Sequence, residues 1–560
     1  MNLRTAFVAV CLLALAASES PAAGPYADRF VWIYGWSLGQ DRDVTEITRL
    51  LENAASHGIN GAIVSFNLDT LSKQSPAYLR RLDAVNAACA SNHIELIPAI
   101  FSVGYGSVLA YDPNLAEGLI VKDAPFIASA GEAKLAASNS PSLANGGFEN
   151  FSATGPDGFT FSDQPGKSTA MDFAIHHDGK ASLKFEVLGG KTPGHGRVFQ
   201  EISVTPNRCY RVSAWVKTEG LRPASAFRLE VTDPNNKELN QRHFNLPLTN
   251  DWRKVSLVFN SLNFDRVRLT AGFWAAAAGQ AWLDDWAVEE LGPVNPLHRP
   301  GTPTTVRSAD GSVTYQEGRD YTALQDPHLN PSRDDGPAMP LKLLPGGRIQ
   351  DGDRLRVSWY HSILINRFQV SVCMAEPELY EIFDRQAAAV AARLHPSRVL
   401  LSMDEIRGGG TCEACRGRDL GELLGDCVTR QMQIVRRHLP GAEIYVWADM
   451  FDPALNARGN YFMAEGSFAG SWKHVPKDVI MAAWGAAPQP KNLRFFADQG
   501  FRTLACCYYD ANDLKEVKSW LDAARPLTNV TGFMYTPWQK KYDLLPDFAD
   551  LLKNESAPAK

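Results

Sequence analysis

Apolar runs of strand length alternate with longer segments of helical period at both ends of this 560-residue chain. The runs occupy residues 30–36, 61–66 and 94–101 near the N-terminus, and 399–404, 444–449, 479–484, 503–509 and 530–538 toward the C-terminus. Such alternation is typical of parallel strands joined by crossover helices. Because eight strands of this kind close into a barrel, the sequence predicts an α/β fold with a (β/α)8 TIM barrel.

The stretch between the third and fourth runs breaks this alternation. Residues 210–216 and 252–259 alternate polar and apolar side chains, and Gly, Pro and Asn turns separate many such short segments. This pattern is typical of an antiparallel sandwich, so we expect an all-β jelly-roll or sandwich domain inserted after the third barrel strand. The predicted domains are an N-terminal barrel segment at 24–140, the sandwich at 141–292, a β-rich arm at 293–361 and a C-terminal barrel segment at 362–560.

The N-terminus has the composition of an export signal. Arg4 is followed by an apolar segment at 6–17 and by small residues at 18–23. We therefore expect a signal peptide at 1–23 and a secreted or periplasmic protein. No later run approaches the roughly 20 apolar residues of a membrane helix, so no membrane span is expected. The net charge of -6 gives no basic excess for nucleic acid.

Cysteine spacing offers one metal-like motif, Cys412-x-x-Cys415. A structural zinc site usually needs a second pair at similar spacing, and only Cys427 follows. The sequence therefore favours buried thiols or a local disulfide here over zinc.

Carboxylates and aromatic residues gather where the predicted barrel strands end. In barrels of this kind the reacting groups lie at the carboxyl ends of the strands. Aromatic rings stack on the apolar faces of sugars, and carboxylates bind hydroxyls and supply acid. This pattern predicts a sugar pocket lined by Asp404, Glu405, Arg407, Trp447, Asp449, Trp484, Tyr508, Asp510 and Trp538.

With these residues in this order along its predicted barrel strands, the chain resembles the family 20 glycoside hydrolases, the β-N-acetylhexosaminidases. The resemblance rests on Asp404-Glu405 after the fourth strand, supported by Ile97-Pro98, Trp447, Trp484, Tyr508-x-Asp510 and Trp538. It implies an exo-acting hydrolase in which the substrate's own acetamido oxygen attacks the anomeric carbon.

The resemblance also implies a role for each residue. Glu405 would protonate the leaving oxygen, and a neighbouring carboxylate would raise its pKa. Asp404 would orient the acetamido group, Tyr508 would donate a hydrogen bond to it, and Asp510 would bind a sugar hydroxyl. The tryptophans would wall the pocket, and no catalytic cofactor is implied.

Two departures from the family pattern leave the sugar open. The sugar-binding Arg expected after the first strand has no counterpart near Trp36, and Lys540 replaces an expected acidic residue. Lys540 and Lys541 would suit an acidic or sulfated glycan. One alternative is a hydrolase of a sugar without an acetamido group, with Asp449 or Asp510 as nucleophile.

Another alternative is a glycan-binding protein without catalysis. Asp404 and Glu405 would then cap the following segment or pair with Arg407. Trp447 and Trp484 would belong to the barrel core. Tyr508 and Tyr509 should point to opposite faces of their strand, so at most one of them faces the pocket.

The inserted sandwich resembles carbohydrate-binding modules. The resemblance rests on residues 145–149 at its start, Ser182-Leu183, and residues 282–285 at its end. It implies an oligo- or polysaccharide partner. In similar modules a structural calcium ion is often held near positions matching Glu149 and Asp285, and oxygen ligands suit this ion.

Overall fold

The computed structural model describes residues 26–136, 141, 143–152, 155–163, 167–187, 194–362, 364–366, 368–485 and 491–555. The predicted signal peptide at 1–23 lies outside these residues. Among the described helices, none is both long enough and apolar enough to cross a membrane.

Eight parallel strands close into a barrel, as the alternating apolar runs predicted. In chain order they are β1 (Asp28–Ile33), β2 (Gly61–Val64), β3 (Glu95–Ile100), β4 (Arg398–Leu401), β5 (Glu443–Trp447), β6 (Ile480–Ala483), β7 (Arg502–Cys506) and β8 (Val530–Tyr535). Each strand pairs with its neighbours in sequence order, and β8 closes the ring on β1.

Seven α-helices are described around or beside the barrel strands. They are α1 (Asp41–Ser56), α2 (Pro76–Ser91), α3 (Pro377–Leu394), α4 (Leu420–His438), α5 (Lys491–Asp498), α6 (Lys515–Ala524) and α7 (Leu545–Lys553). The connection from β5 to β6 departs from the ideal pattern, since it has no α-helix and carries two 3-10 turns, Asp449–Phe451 and Ser471–Lys473, and a short strand, Met463–Ala464, that pairs with Gly408–Gly409. This long connection lies at the carboxyl end of the barrel strands.

The residues between β3 and α3 form mainly antiparallel sheets. Two five-stranded sheets make the sandwich. In spatial order, the strands of the first sheet are Asn250–Asn260, Cys209–Arg222, Ala278–Glu290, Ser182–Glu186 and Thr169–Asp172. Those of the second sheet are Glu238–His243, Phe227–Thr232, Arg266–Ala276, Gly194–Ser203 and Thr160–Phe161. The inward side chains of these strands are buried in one core. A β-sandwich was predicted for this region.

A third sheet joins the sandwich to the barrel. It contains the predicted arm strand Arg354–His361, which pairs with Leu119–Ser129. The remaining strands of this sheet are Glu132–Leu135, Pro296–Leu297, Thr305–Ser308, Thr314–Tyr315 and Leu341–Lys342. The predicted domain boundary at 140 therefore assigns two strands of this sheet, Leu119–Ser129 and Glu132–Leu135, to the barrel segment.

Three hydrophobic cores are described, one between the barrel strands and their helices, one inside the barrel, and one in the sandwich and third sheet. The barrel interior is filled by side chains that include Phe30, Trp32, Tyr445 and Met534, and this packing supports the residues at the strand ends. The core of the sandwich and third sheet also receives Ile365 and Met463 from the barrel loops. The insert and the barrel therefore pack against each other.

Candidate active site at the barrel mouth

The backbone after β4 has a conformation that few side chains adopt. Glu405 has φ 49°, in the left-handed region, and its N–H donates a 2.9 Å hydrogen bond to Asp449 Oδ2. The loop after β3 packs closely on this backbone, because a Cβ built on Gly104 would lie 2.3 Å from the Asp404 oxygen. Such strain is common where structure positions functional groups, so this turn is a candidate catalytic element.

The Glu405 side chain is held by two donors. Arg407 donates hydrogen bonds of 2.8 and 3.1 Å to its two oxygens, and the Tyr105 hydroxyl donates to Oε2. The Arg407 guanidinium is largely buried and stands 4.8 Å from the centroid of the Phe462 ring. Arg407 therefore lies in the predicted site, but it positions Glu405.

Two further carboxyl groups lie beside Glu405. Asp449 is fully buried, and it accepts hydrogen bonds from Asn456 Nδ2 at 2.7 Å and from Trp484 Nε1 at 3.2 Å. Burial raises the pKa of Asp449 to about 6. Burial, together with the charges of Asp449 and Glu405, raises the pKa of Asp404 well above its usual value. The structure thus raises the pKa of the first carboxyl group of the Asp404-Glu405 pair.

Aromatic side chains form the floor and wall of the mouth. Trp447 is only 3% exposed and packs against Trp32 and Trp538, with ring centroids 5.7 and 6.4 Å away. It therefore belongs to the barrel interior and forms the floor. Trp484 and Trp538 are half-buried above this core and remain in positions suited to the predicted pocket wall.

Three buried donors in this region lack a hydrogen-bond partner among the described residues. They are the indole nitrogens of Trp32 and Trp538 and the hydroxyl of Tyr509. The Tyr509 ring lies 6.3 Å from that of Trp484. A buried polar group without a partner is costly, so these donors are suited to a polar ligand that supplies acceptors.

Exposed aromatic rings surround the same opening. Tyr34 lies 5.1 Å from Trp538, and Tyr105 lies 6.2 Å from Phe368, as ring centroids. Tyr34 and Tyr105 are each 38% exposed and Phe368 is 64% exposed. Exposed rings that surround buried carboxylates are suited to stacking against sugar faces.

The structure corrects two predicted sugar contacts. Tyr508 is 1% exposed, stacks on Tyr535 at 4.0 Å outside the barrel interior and donates to the Ala511 oxygen at 2.9 Å. Both Asp510 oxygens accept backbone N–H groups, from Trp538 at 2.8 Å and from Gln539 at 3.1 Å. Tyr508 therefore faces away from the mouth, and Asp510 positions the loop that carries Trp538.

Sequence reasoning missed Trp32 and Tyr105 as residues of the mouth, and it left open which of Tyr508 and Tyr509 faces the pocket. Trp32 shares the inward face of β1 with Phe30, which period-two alternation could have shown. Tyr105 lies between Gly104 and Gly106 in the loop after β3, which is a turn signal at a carboxyl strand end. No local signal distinguished Tyr509 from Tyr508.

The predicted calcium ligands of the sandwich lie near each other but are already engaged. Glu149 Oε1 accepts the N–H of Lys180 at 2.8 Å, and Asp285 Oδ2 lies 2.6 Å from His177 Nδ1. Gly147 lies next to both carboxyl groups. Together the two groups offer at most four oxygens, fewer than the six to eight that calcium takes, so these side chains alone do not complete a calcium site.

Comparison with known proteins identifies the sandwich. Residues 140–274 match the family model described as a carbohydrate binding domain. A search of curated proteins found no match.

Solved structures were also compared. The carbohydrate-binding module TmCBM61 in complex with beta-1,4-galactotriose is 19% identical over 26% of this chain and 97% of its own, with a TM-score of 0.21. The CBM22-1 xylan-binding domain of Paenibacillus barcinonensis Xyn10C is 18% identical over 28% of this chain and 100% of its own, with a TM-score of 0.19. The family match shows that this mixed α/β chain carries a carbohydrate-binding domain and has a carbohydrate-related function.

Proposed function

We propose that the chain is a secreted or periplasmic glycoside hydrolase that cleaves an oligo- or polysaccharide at the barrel mouth. The observation that carries this proposal is the meeting of Asp404, Glu405 and Asp449 beneath aromatic rings and beside unpartnered buried donors. Acid–base groups and sugar-stacking surfaces are the two requirements of glycosidic cleavage. The carbohydrate-binding domain would keep the glycan near the mouth.

In this proposal Asp404 delivers the proton to the leaving oxygen. Its raised pKa keeps the group protonated at higher pH than an ordinary aspartate. Glu405 accepts hydrogen bonds through both oxygens, so neither oxygen is free to donate in this arrangement. Glu405 would instead stabilise the positive charge that develops at the anomeric carbon. These roles are the reverse of those that the family resemblance implies.

A series of aryl glycosides with different leaving groups tests these roles. A proton donor speeds the cleavage of glycosides with poor leaving groups and hardly affects those with good ones. Asp404→Asn should therefore slow hydrolysis of glycosides with poor leaving groups by about 10²–10⁴-fold and change hydrolysis of those with good leaving groups little. Glu405→Gln should slow hydrolysis of both classes of glycoside. Asp351→Asn, which changes an exposed turn residue, should slow hydrolysis of neither class.

The opposite pattern would contradict this assignment. If Glu405→Gln spared the good leaving groups and Asp404→Asn slowed all of them, Glu405 would be the donor. Turnover that was equal in the wild type and in both variants would place the reaction outside this site.

A second candidate is substrate-assisted hydrolysis of β-linked N-acetylhexosamines. It is favoured by the order Asp404-Glu405 and by Tyr509, whose unpartnered hydroxyl is available for the role assigned to Tyr508. Here the acetamido oxygen would attack, and Asp404 would orient it.

Substrates with and without the 2-acetamido group separate the two candidates. Substrate assistance requires that only acetamido sugars turn over and that Tyr509→Phe slows them. Tyr508→Phe is the matched control, because its hydroxyl bonds Ala511 away from the mouth. Turnover of plain sugars would exclude this candidate.

A further inference from the structure

Three cysteines and one glutamate meet in a buried cluster outside the candidate active site. Their Sγ and carboxylate atoms all lie within 4.8 Å of one another, and all four residues are buried. Cys412 and Cys415 are the pair at metal-like spacing, Cys373 comes from the segment before α3, and Glu117 from the segment after β3.

The separations between these atoms are close to those of a tetrahedral metal site, with the sulfurs slightly nearer to one another than zinc would hold them. Cys373 Sγ lies 3.4 Å from the Sγ atoms of both Cys412 and Cys415, which are 3.6 Å apart. Glu117 Oε2 lies 3.8 Å from Cys415 Sγ. Tetrahedral zinc with Zn–S bonds of about 2.3 Å requires sulfurs about 3.8 Å apart, and an S–O separation of about 3.6 Å.

The Glu117 carboxylate is oriented by the loop that carries the cysteines. Its Oε1 accepts from Thr411 N at 2.9 Å, Thr411 Oγ1 at 2.8 Å and Cys412 N at 3.1 Å. These three donors engage Oε1, while Oε2 lies toward the sulfurs. Partners of this kind fix metal-ligating side chains in place.

A buried cation lies beside the segment that carries Glu117. The side chain of Arg299 is 6% exposed, pairs with Glu376 at 2.8 Å and donates to the oxygen of Ala116, the residue before Glu117, at 3.0 Å. Its Nη2 makes no hydrogen bond to any described residue.

A disulfide explains the cluster less well than a metal. One disulfide joins two sulfurs and gives no role to the third thiol or to Glu117 Oε2. A zinc ion uses all four groups, since zinc takes four ligands and binds both thiolate sulfur and carboxylate oxygen.

We propose that Cys373, Cys412, Cys415 and Glu117 bind a structural zinc ion. The ion ties together three segments. Glu117 precedes the strand Leu119–Ser129 that begins the inserted region, Cys373 follows its end, and the cysteine pair lies after the Asp404–Glu405 turn. The zinc therefore anchors the neck of the insert to the loop that leaves the candidate active site.

Metal analysis of the full-length protein tests this site. Mass spectrometry of the purified wild type should give one zinc per chain. Cys412→Ser and Cys415→Ser should lose it, and Glu117→Gln should bind it at least about tenfold more weakly. Cys89→Ser and Cys427→Ser are matched controls, since both thiols are buried and free.

A spectroscopic measurement on the wild type covers the case in which the variants do not fold. Cobalt exchanged into the site should show thiolate-to-cobalt charge-transfer bands and the visible bands of tetrahedral cobalt. A disulfide within the trio in metal-free protein as purified would overturn the proposal. Zinc content unchanged by Cys412→Ser and Cys415→Ser would overturn it as well.

Discussion

At the scale of single residues, Asp449 organises the candidate centre. It is buried, it accepts the N–H of Glu405 in a backbone conformation with positive φ, and it receives hydrogen bonds from Asn456 and Trp484. Asp449 also helps to raise the pKa of Asp404. It is therefore a positioning residue that also sets the charge of its neighbour.

Neutralising Asp449 should change the pH dependence of turnover. Without its negative charge the pKa of Asp404 falls, so the protonated donor is lost at lower pH. Asp449→Asn should move the alkaline limb of the kcat profile to lower pH and reduce kcat about tenfold or more. Asp351→Asn removes an exposed charge in a distant turn and should leave the limb in place, whereas an unmoved limb in Asp449→Asn would contradict the coupling.

The two tyrosines show how far strand alternation predicts a site. Tyr508 and Tyr509 lie on opposite sides, as expected, but the sugar contact was assigned to Tyr508 and it is Tyr509 that lies at the mouth. Strand β7 ends at Cys506, so the alternation of Leu504, Ala505 and Cys506 does not tell which of the two tyrosines faces the mouth. Of the four proposed zinc ligands, the sequence singled out Cys412 and Cys415 but not Cys373 and Glu117, because only the fold brings these two to the cysteine pair.

At the scale of elements, the barrel strands were predictable and the third sheet was not. Apolar runs identify β1 to β8 because each strand is buried on both faces. The pairing of Leu119–Ser129 with Arg354–His361 joins segments on either side of the sandwich, and no local pattern encodes this partnership.

The last residue of the strand Arg354–His361 makes this sheet sensitive to acid. Burial lowers the pKa of His361 to about 4, and its Nε2 lies 2.9 Å from Asn260 Nδ2. An unfolded histidine has a pKa of about 6.5, so protons favour the unfolded chain as pH falls from about 6.5 to 4. This histidine alone should cost about 3 kcal/mol of folding free energy over that range.

Chemical denaturation at a series of pH values checks this expectation. His361→Gln cannot titrate, so its free energy of unfolding should fall less steeply than that of the wild type below pH 6.5. His93→Gln alters a histidine outside this sheet and should leave the slope unchanged. If the free energy of unfolding fell equally steeply with pH in the wild type and in His361→Gln, His361 would not be a source of the acid sensitivity.

At the scale of the whole molecule, the sandwich and the barrel loops behave as one packed body. Asn240 of the sandwich is buried, and its Nδ2 donates 2.7 Å hydrogen bonds to the oxygens of Val258 and Leu364. Leu364 lies in the segment that returns the chain to the barrel, so this amide links the sandwich to the barrel.

Removing this amide should weaken the link. Asn240→Ala leaves two buried carbonyls without that donor and should destabilise the protein by about 1–3 kcal/mol. Calorimetry should show a lower Tm. The exposed Asn263 of the same domain is the control, and Asn263→Ala should leave Tm unchanged. An unchanged Tm in Asn240→Ala would show that the link contributes little.

Isotope incorporation distinguishes the proposed hydrolysis of glycosidic bonds at the barrel mouth from glycan binding alone. A glycan library is incubated with the protein in 18O-labelled water, and the masses of the released sugars are measured by mass spectrometry. Wild type should release sugars that carry one 18O at the new reducing end, and Asp404→Asn and Glu405→Gln should release far less. Glycan binding without 18O incorporation in wild type would contradict the claim and would leave a carbohydrate-binding protein without catalysis.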